Sequence, residues 1–82
     1  MYVLGVDFGG GSGKATLINE KGEAVAMATA EYPTFYGENG KAEQNPLDWY
    51  AAACKNIRAV LCGIKAEEVK CVCFDEIGRA HV

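Results

Sequence analysis

Leu4-Gly5-Val6-Asp7-Phe8-Gly9-Gly10-Gly11-Ser12-Gly13-Lys14 is the stretch on which the fold and the chemistry of this chain turn. The apolar run over residues 2–7 reads as a buried strand that carries one carboxylate, Asp7, to the edge of a sheet. The chain then reverses through Gly9, Gly10 and Gly11, where missing side chains let main-chain N–H groups come close to an anion. Ser12 adds a hydroxyl donor, and Lys14 places a cation near the β/γ-phosphates of a nucleotide. Asp7, fixed at a strand end, is suited to hold Mg²⁺ directly or through water, because hard cations take oxygen ligands. The plain alternative is a glycine-rich hairpin with no ligand, since glycines commonly mark turns. The acid weighs against it: a carboxylate closing an apolar strand is costly without a partner.

Two familiar phosphate motifs fail on this stretch. A P-loop needs G-x-x-x-x-G-K-[ST]. Counting back from Gly13-Lys14 puts Phe8 where the first glycine belongs, and Ala15 replaces the hydroxyl that would hold magnesium. A dinucleotide fingerprint needs G-x-G-x-x-G leading into a helix. Here Lys14 stands at the third glycine, and the next segment is strand-like. What remains is D-x-G-x-x-x-x-K in a strand-turn-strand hairpin.

Outward from the turn, residues 15–19 continue as a second strand, and Glu20-Lys21-Gly22-Glu23 makes a turn. Residues 24–32 form a third strand with Val25 and Met27 on one face, and short connections imply an antiparallel meander. Residues 33–45 read as a polar loop. Asn45-Pro46 starts a helix, because Asn caps and Pro suits the first helical position, and Asp48 complements the helix dipole. Leu47, Tyr50, Ala51, Cys54, Ile57, Arg58 and Leu61 recur at helical spacing, an apolar face apart from Arg58. Gly63 closes the helix as a left-handed cap. After a short acidic linker with Glu67 and Glu68, residues 69–74 form a continuous apolar run, broken only by Lys70, that suits a buried strand beside the first. The order is β-β-β-α-β, an α/β class with three antiparallel strands, a helix, and a strand parallel to the first.

Composition bounds the rest. Eighty-two residues allow one small domain, which buries only about 60% of its unfolded surface. Half the residues are hydrophobic and the net charge is -3, with no basic patch to mark a nucleic-acid footprint. The apolar stretches fall short of the ~18 residues that span a bilayer, and no charged-then-apolar leader precedes Val3. Cys54, Cys62, Cys71 and Cys73 match neither a disulfide scaffold nor a zinc site: there is no C-x-x-C, and the sole histidine is His81. They read as small buried thiols in a reducing cytoplasm, with Cys71 and Cys73 sharing one strand face.

A second segment sharpens the reading. Gly40-Lys41-Ala42-Glu43-Gln44-Asn45-Pro46-Leu47-Asp48-Trp49 resembles the G-x-x-E-Q-[DN]-P-x-x-W segment of the FGGY carbohydrate kinases, which likewise follows three strands and opens the first helix. Together with the Asp7 turn, the resemblance covers nearly all of residues 2–75, and the order and separation of the two motifs are specific. It implies an incomplete RNase H-like domain of the actin-like ATPase superfamily, in which ATP and Mg²⁺ bind in a cleft between two such domains. It assigns Asp7 to the phosphate and magnesium carboxylate, and Gly9, Gly10, Gly11, Ser12 and Lys14 to the first phosphate turn. Gly-Gly-Gly stands where Gly-Thr-Thr or Gly-Thr-Ser is usual, so hydroxyl contacts would be fewer and backbone contacts more prominent. Trp49 and Pro46 suit packing at the helix start better than sugar contact. Tyr32, Phe35 and Tyr36 flank the loop, where core or interface packing is a commoner role than stacking on a sugar.

The resemblance further implies a cytoplasmic parent enzyme with a small-molecule sugar as partner, involving neither nucleic acid nor membrane, and it is compatible with a homodimer. The catalytic aspartate, the adenosine site and the second phosphate turn would lie downstream, so the 82-residue chain is expected to be inactive. Residues 1–75 read as the truncated N-terminal part of the first kinase domain. Residues 76–82 read as a non-native tail, since Ile-Gly-Arg-Ala-His-Val looks like the translation of a common sequencing adapter. Arg79 and His81 would then carry no chemistry. Two other readings stay open: a fragment of an actin-like or chaperone-type ATPase, and a small non-catalytic interaction module with unpaired strand edges.

Overall fold

The computed structural model describes residues 1–40 and 42–76. Strand β1 (Tyr2–Phe8) turns back into β2 (Ser12–Asn19), and β3 (Ala24–Glu31) completes an antiparallel meander. A two-residue ladder of β4 (Phe35–Tyr36) and β5 (Ala42–Glu43) follows, then helix α1 (Pro46–Val60) and strand β6 (Val69–Glu76). The main sheet has the order β3-β2-β1-β6, with β6 parallel to β1. The expected β-β-β-α-β order and the parallel last strand are therefore present. The segment 33–45 is more structured than a polar loop, since it holds the small ladder and a 3-10 turn over Glu38–Gly40. Strand β2 also begins earlier than expected, at Ser12, so Ser12, Gly13 and Lys14 belong to the sheet.

Local chemistry accounts for the connections. Between β2 and β3, the Asn19 side-chain oxygen accepts from the Lys21 and Glu23 N–H groups at 2.9 and 3.0 Å. Gly22 turns through φ +85°, a conformation that glycine adopts without steric cost. At the start of α1, the Asn45 side chain accepts from the Leu47 N–H at 2.9 Å, and Pro46 occupies the first turn where no N–H is needed. Past the helix end, Gly63 takes φ +82°.

Helix α1 covers one face of the sheet at β2 and β3. Leu4, Val6, Ala15 and Leu17 from the strands pack with Ala53 and Val60 from the helix, and Ala30, Tyr32 and Ala52 form a second cluster beside Phe8 and Trp49. The expected apolar stripe on α1 is displaced by this packing. Leu47 and Tyr50 are 72% and 70% exposed and Ala51 and Arg58 are also exposed, whereas Ala52, Ala53, Asn56 and Val60 are buried. Small residues let the helix lie close to the sheet, and closeness outweighs the size of the apolar side chains on offer.

Strand β6 was expected to be buried and is not. It occupies the sheet edge, beyond the reach of α1, and its Val72 and Phe74 stay 46% and 66% exposed. The cysteines also depart from the buried-thiol expectation, those on β6 for the same reason. Cys71 and Cys73 on β6 and Cys62 beyond the helix are exposed, and Cys54 is half-buried. Residues 77–82, including Arg79 and His81 of the expected tail, lie outside the described residues.

Candidate phosphate-binding site

Pleating sends alternate residues of β1 to opposite faces: Leu4 and Val6 go under α1, and Gly5 and Asp7 to the other side. Asp7 stands at the C-terminal end of β1, in register with Lys14 on β2 and with Asp75 on the parallel strand β6. These groups line an open cavity of about 320 Å³ with Gly5, Thr16 and Cys73. The cavity runs along the sheet face opposite α1 from Ile18 to Asp7 and Asp75, and so reaches the carboxyl ends of β1 and β6, where ligands of open α/β sheets bind. One carboxylate oxygen, Asp7 Oδ1, is buried with no hydrogen-bond partner among the described residues. Lys14, although in register with Asp7, makes no ion-pair contact with it among the described residues. A desolvated, unpaired carboxylate oxygen is an expensive feature that a cation would relieve.

The turn is tied down from the helix side through its carbonyl groups. The Tyr32 hydroxyl lies within donating distance of the Gly9 carbonyl and, at 2.9 Å, of the Ser12 carbonyl, so its single proton is shared between them. Gln44 Nε2 donates to the Gly10 carbonyl, the Tyr32 N–H to the Gly11 carbonyl at 3.1 Å, and the Asn56 amide to the Gly13 carbonyl at 2.9 Å. Every carbonyl from Gly9 to Gly13 therefore has an internal donor. Acceptors are turned inward, while the Gly10 and Gly11 N–H groups have no partner among the described residues. A loop with occupied carbonyls and open N–H groups presents positive partial charge, as an anion site requires. The Gly9 N–H is not available, because it closes the turn on the Ser12 carbonyl at 2.9 Å.

The glycines themselves support a ligand more than a turn. Neither Gly10 nor Gly11 has a positive φ, and an added methyl group at either would meet no protein atom within 4 Å. Internal geometry thus gives no reason for glycine at these two positions, whereas close approach of an external group does. A Gly10→Ala substitution is accordingly expected to leave stability within about 0.5 kcal/mol of the parent. It should weaken binding of a phosphate anion at the turn by about tenfold, measured by titration calorimetry with inorganic pyrophosphate.

Sequence reasoning named Asp7, the three consecutive glycines, Ser12 and Lys14 as candidates, and the structure places them at one sheet end. It missed the clamp. Gln44 lay within the helix-opening segment, but its task is tertiary: it also donates to Thr34 Oγ1 at 2.9 Å and accepts from Trp49 Nε1 at 3.1 Å. Trp49 packs, as expected, with its ring 5.8 Å from Phe8 and 6.1 Å from Tyr32. Asn56 is 2% exposed, and a polar residue one turn from Ala52, Ala53 and Val60 was the available signal.

Comparison with known proteins identifies the family and the fold. The family model of the FGGY family of carbohydrate kinases, N-terminal domain, matches residues 2–81. The xylulose kinase of Bacillus subtilis (strain 168) is 40% identical over 48 residues, covering 58% of this chain and 10% of that protein. The glycerol kinase of Marinomonas sp. (strain MWYL1) is 33% identical over 70 residues, covering 83% of this chain and 14% of the relative. Among solved structures, a xylulose kinase from Brucella ovis superimposes with a TM-score of 0.84 at 26% identity, over 93% of this chain and 16% of that one. Ligand-bound xylulose kinase from Lactobacillus acidophilus gives 0.83 at 25% identity, over 92% and 15%. The chain thus spans a small part of the length of these kinases, and its sheet is that of the actin-like ATPase fold. By the match of nearly its whole length, the chain belongs to the FGGY carbohydrate kinases, as a part of their N-terminal domain.

Proposed function

We propose that this chain supplies the first phosphate-binding turn of an ATP-dependent sugar kinase, which moves the γ-phosphoryl of ATP to a hydroxyl of a sugar or polyol. The observation that carries the reading is the occupied carbonyl row of residues 9–13 beside the unpartnered Asp7 Oδ1. The Gly10 and Gly11 N–H groups and the Ser12 hydroxyl bind and orient phosphate oxygens, and the Lys14 ammonium offsets their charge. Asp7 is the residue that would hold Mg²⁺, which supplies charge neutralisation on the transferring phosphates. A hollow of about 280 Å³ lined by Phe8, Trp49, Phe74 and Asp75 adjoins the turn and offers an apolar ring face with one carboxylate, a suitable floor for a sugar. The resemblance puts the general base and the adenosine site downstream, so the 82-residue chain is inactive on this reading. The parent meets its small-molecule substrates in the cytoplasm, without nucleic acid or membrane. No helix among the described residues is long and apolar enough to cross a membrane.

The test compares the 82-residue chain with a complete kinase carrying the same segment, each given Mg-ATP and a panel of xylulose, glycerol and gluconate. Sugar-dependent ADP release is expected from the complete kinase alone. Release by the short chain would overturn its inactivity. A complete kinase that hydrolyses ATP without phosphorylating any sugar would overturn the function.

A further inference from the structure

The cavity beside Asp7 carries a second chemical feature that phosphate binding does not use. Cys71 and Cys73 are two residues apart on β6, so both side chains project from the same face, and their sulfurs stand 3.6 Å apart. Both thiols are exposed. Cys73 also lines the open cavity. Its register partner on β1 is Gly5, where an added methyl group would meet nothing nearer than the Thr16 carbonyl, 3.9 Å away. Space beside the sulfur is therefore open. Hydrogen bonding to Cys71, reinforced by its charge, raises the Cys73 pKa above the ordinary thiol value.

The 3.6 Å separation is that of two thiols in hydrogen-bonding contact, and strand geometry suits one use of the pair better than another. A disulfide would need the sulfurs to close to ~2.05 Å, and residues i and i+2 of a strand lie roughly 6.6–6.8 Å apart at Cα, at the far limit for such a bond. Two metal–sulfur bonds of ~2.3 Å meeting at the tetrahedral angle place the sulfurs about 3.8 Å apart. From the observed contact, the sulfurs need to move only slightly to reach that bite. Thiolates are soft ligands and select soft or borderline ions over Mg²⁺, so this feature is chemically separate from Asp7.

We propose that Cys71 and Cys73 form a bidentate thiolate site for a thiophilic divalent ion of the zinc group, on the sheet face opposite α1. On binding, both S–H bonds break, two metal–sulfur bonds form, and two protons pass to the buffer. No group of three or more His, Cys, Asp or Glu side chains suited to a metal occurs among the described residues. Water or a small-molecule thiol fills the remaining positions, which makes the ion exchangeable.

The probe is Cd²⁺ alone, titrated into the reduced chain without oxygen and followed by thiolate-to-metal charge-transfer absorption and by proton release. One ion per chain with two protons released is expected. Cys71→Ser and Cys73→Ser should each weaken binding by about 100-fold or more, because losing one arm of a chelate forfeits its effective concentration. Cys54→Ser and Cys62→Ser should change it by less than about twofold. Absorption that survives Cys71→Ser or Cys73→Ser at similar affinity would overturn the proposal. So would saturation at one ion per two chains, which would mean bridging between molecules. All four cysteines are at least partly exposed, so serine leaves the packed core intact, and a retained circular dichroism spectrum verifies it.

Discussion

Asp7→Asn is expected to raise the thermal midpoint of this chain while lowering the kcat/KM of a complete kinase carrying the change by about 10²–10³-fold. The two effects come from one atom. Asp7 Oδ1 is buried and unpartnered among the described residues, so this oxygen has given up water without gaining a hydrogen bond. Asparagine keeps the shape and removes the charge, which should stabilise the ligand-free chain by about 1 kcal/mol. The same change removes the oxygen charge proposed to organise the metal and phosphates. Differential scanning calorimetry of the short chain and coupled ADP assays of the complete kinase measure the two halves. A lower midpoint together with unchanged turnover would mean that Asp7 serves the fold and not the site.

Leu17→Ala is expected to be the most damaging single change to the fold. Leu17 is 1% exposed at the centre of the cluster formed with Leu4, Val6, Ala15, Ala53 and Val60. Truncating a buried leucine costs about 2–5 kcal/mol, since the cavity left behind adds to the lost transfer energy. A domain of this length has only about 4–12 kcal/mol in total. The sheet is also covered by one helix on one face, so neighbouring residues can do little to fill the gap. Urea unfolding should show a midpoint shift of that size or the loss of a cooperative transition. A shift worth less than about 1 kcal/mol would show that β2 and α1 are not the packed core.

Features governed by neighbouring residues were legible in the sequence. The strand ending in Asp7, the reversal through Gly9 to Gly11, the Asn19–Glu23 turn, the Asn45-Pro46 helix start and the Gly63 exit all depend on local backbone preferences. The parallel last strand could be placed because its apolar run follows a helix. The helix face could not be read by counting large apolar residues: Leu47 and Tyr50 lie outward, while the alanines at 52 and 53 face the sheet. Burial of β6 was misread for a related reason. An apolar run signals what a strand can bury, whereas α1, which covers β2 and β3, determines what this edge strand does bury.

The candidate site divides along the same line. By itself the sequence determined which groups are delivered to the turn: one carboxylate, small residues, a hydroxyl and a lysine, all within eight positions from Asp7 to Lys14. Only the tertiary structure decided how that turn is poised. Its carbonyls are held by Tyr32, Gln44 and Asn56, which lie 20 to 43 residues from the groups they bond. Contacts at such separations exist only after the meander has formed and the helix has packed on it, so no local preference encodes them. Packing fixes the direction of each peptide group, and that direction decides whether a glycine-rich hairpin offers donors or acceptors to a ligand.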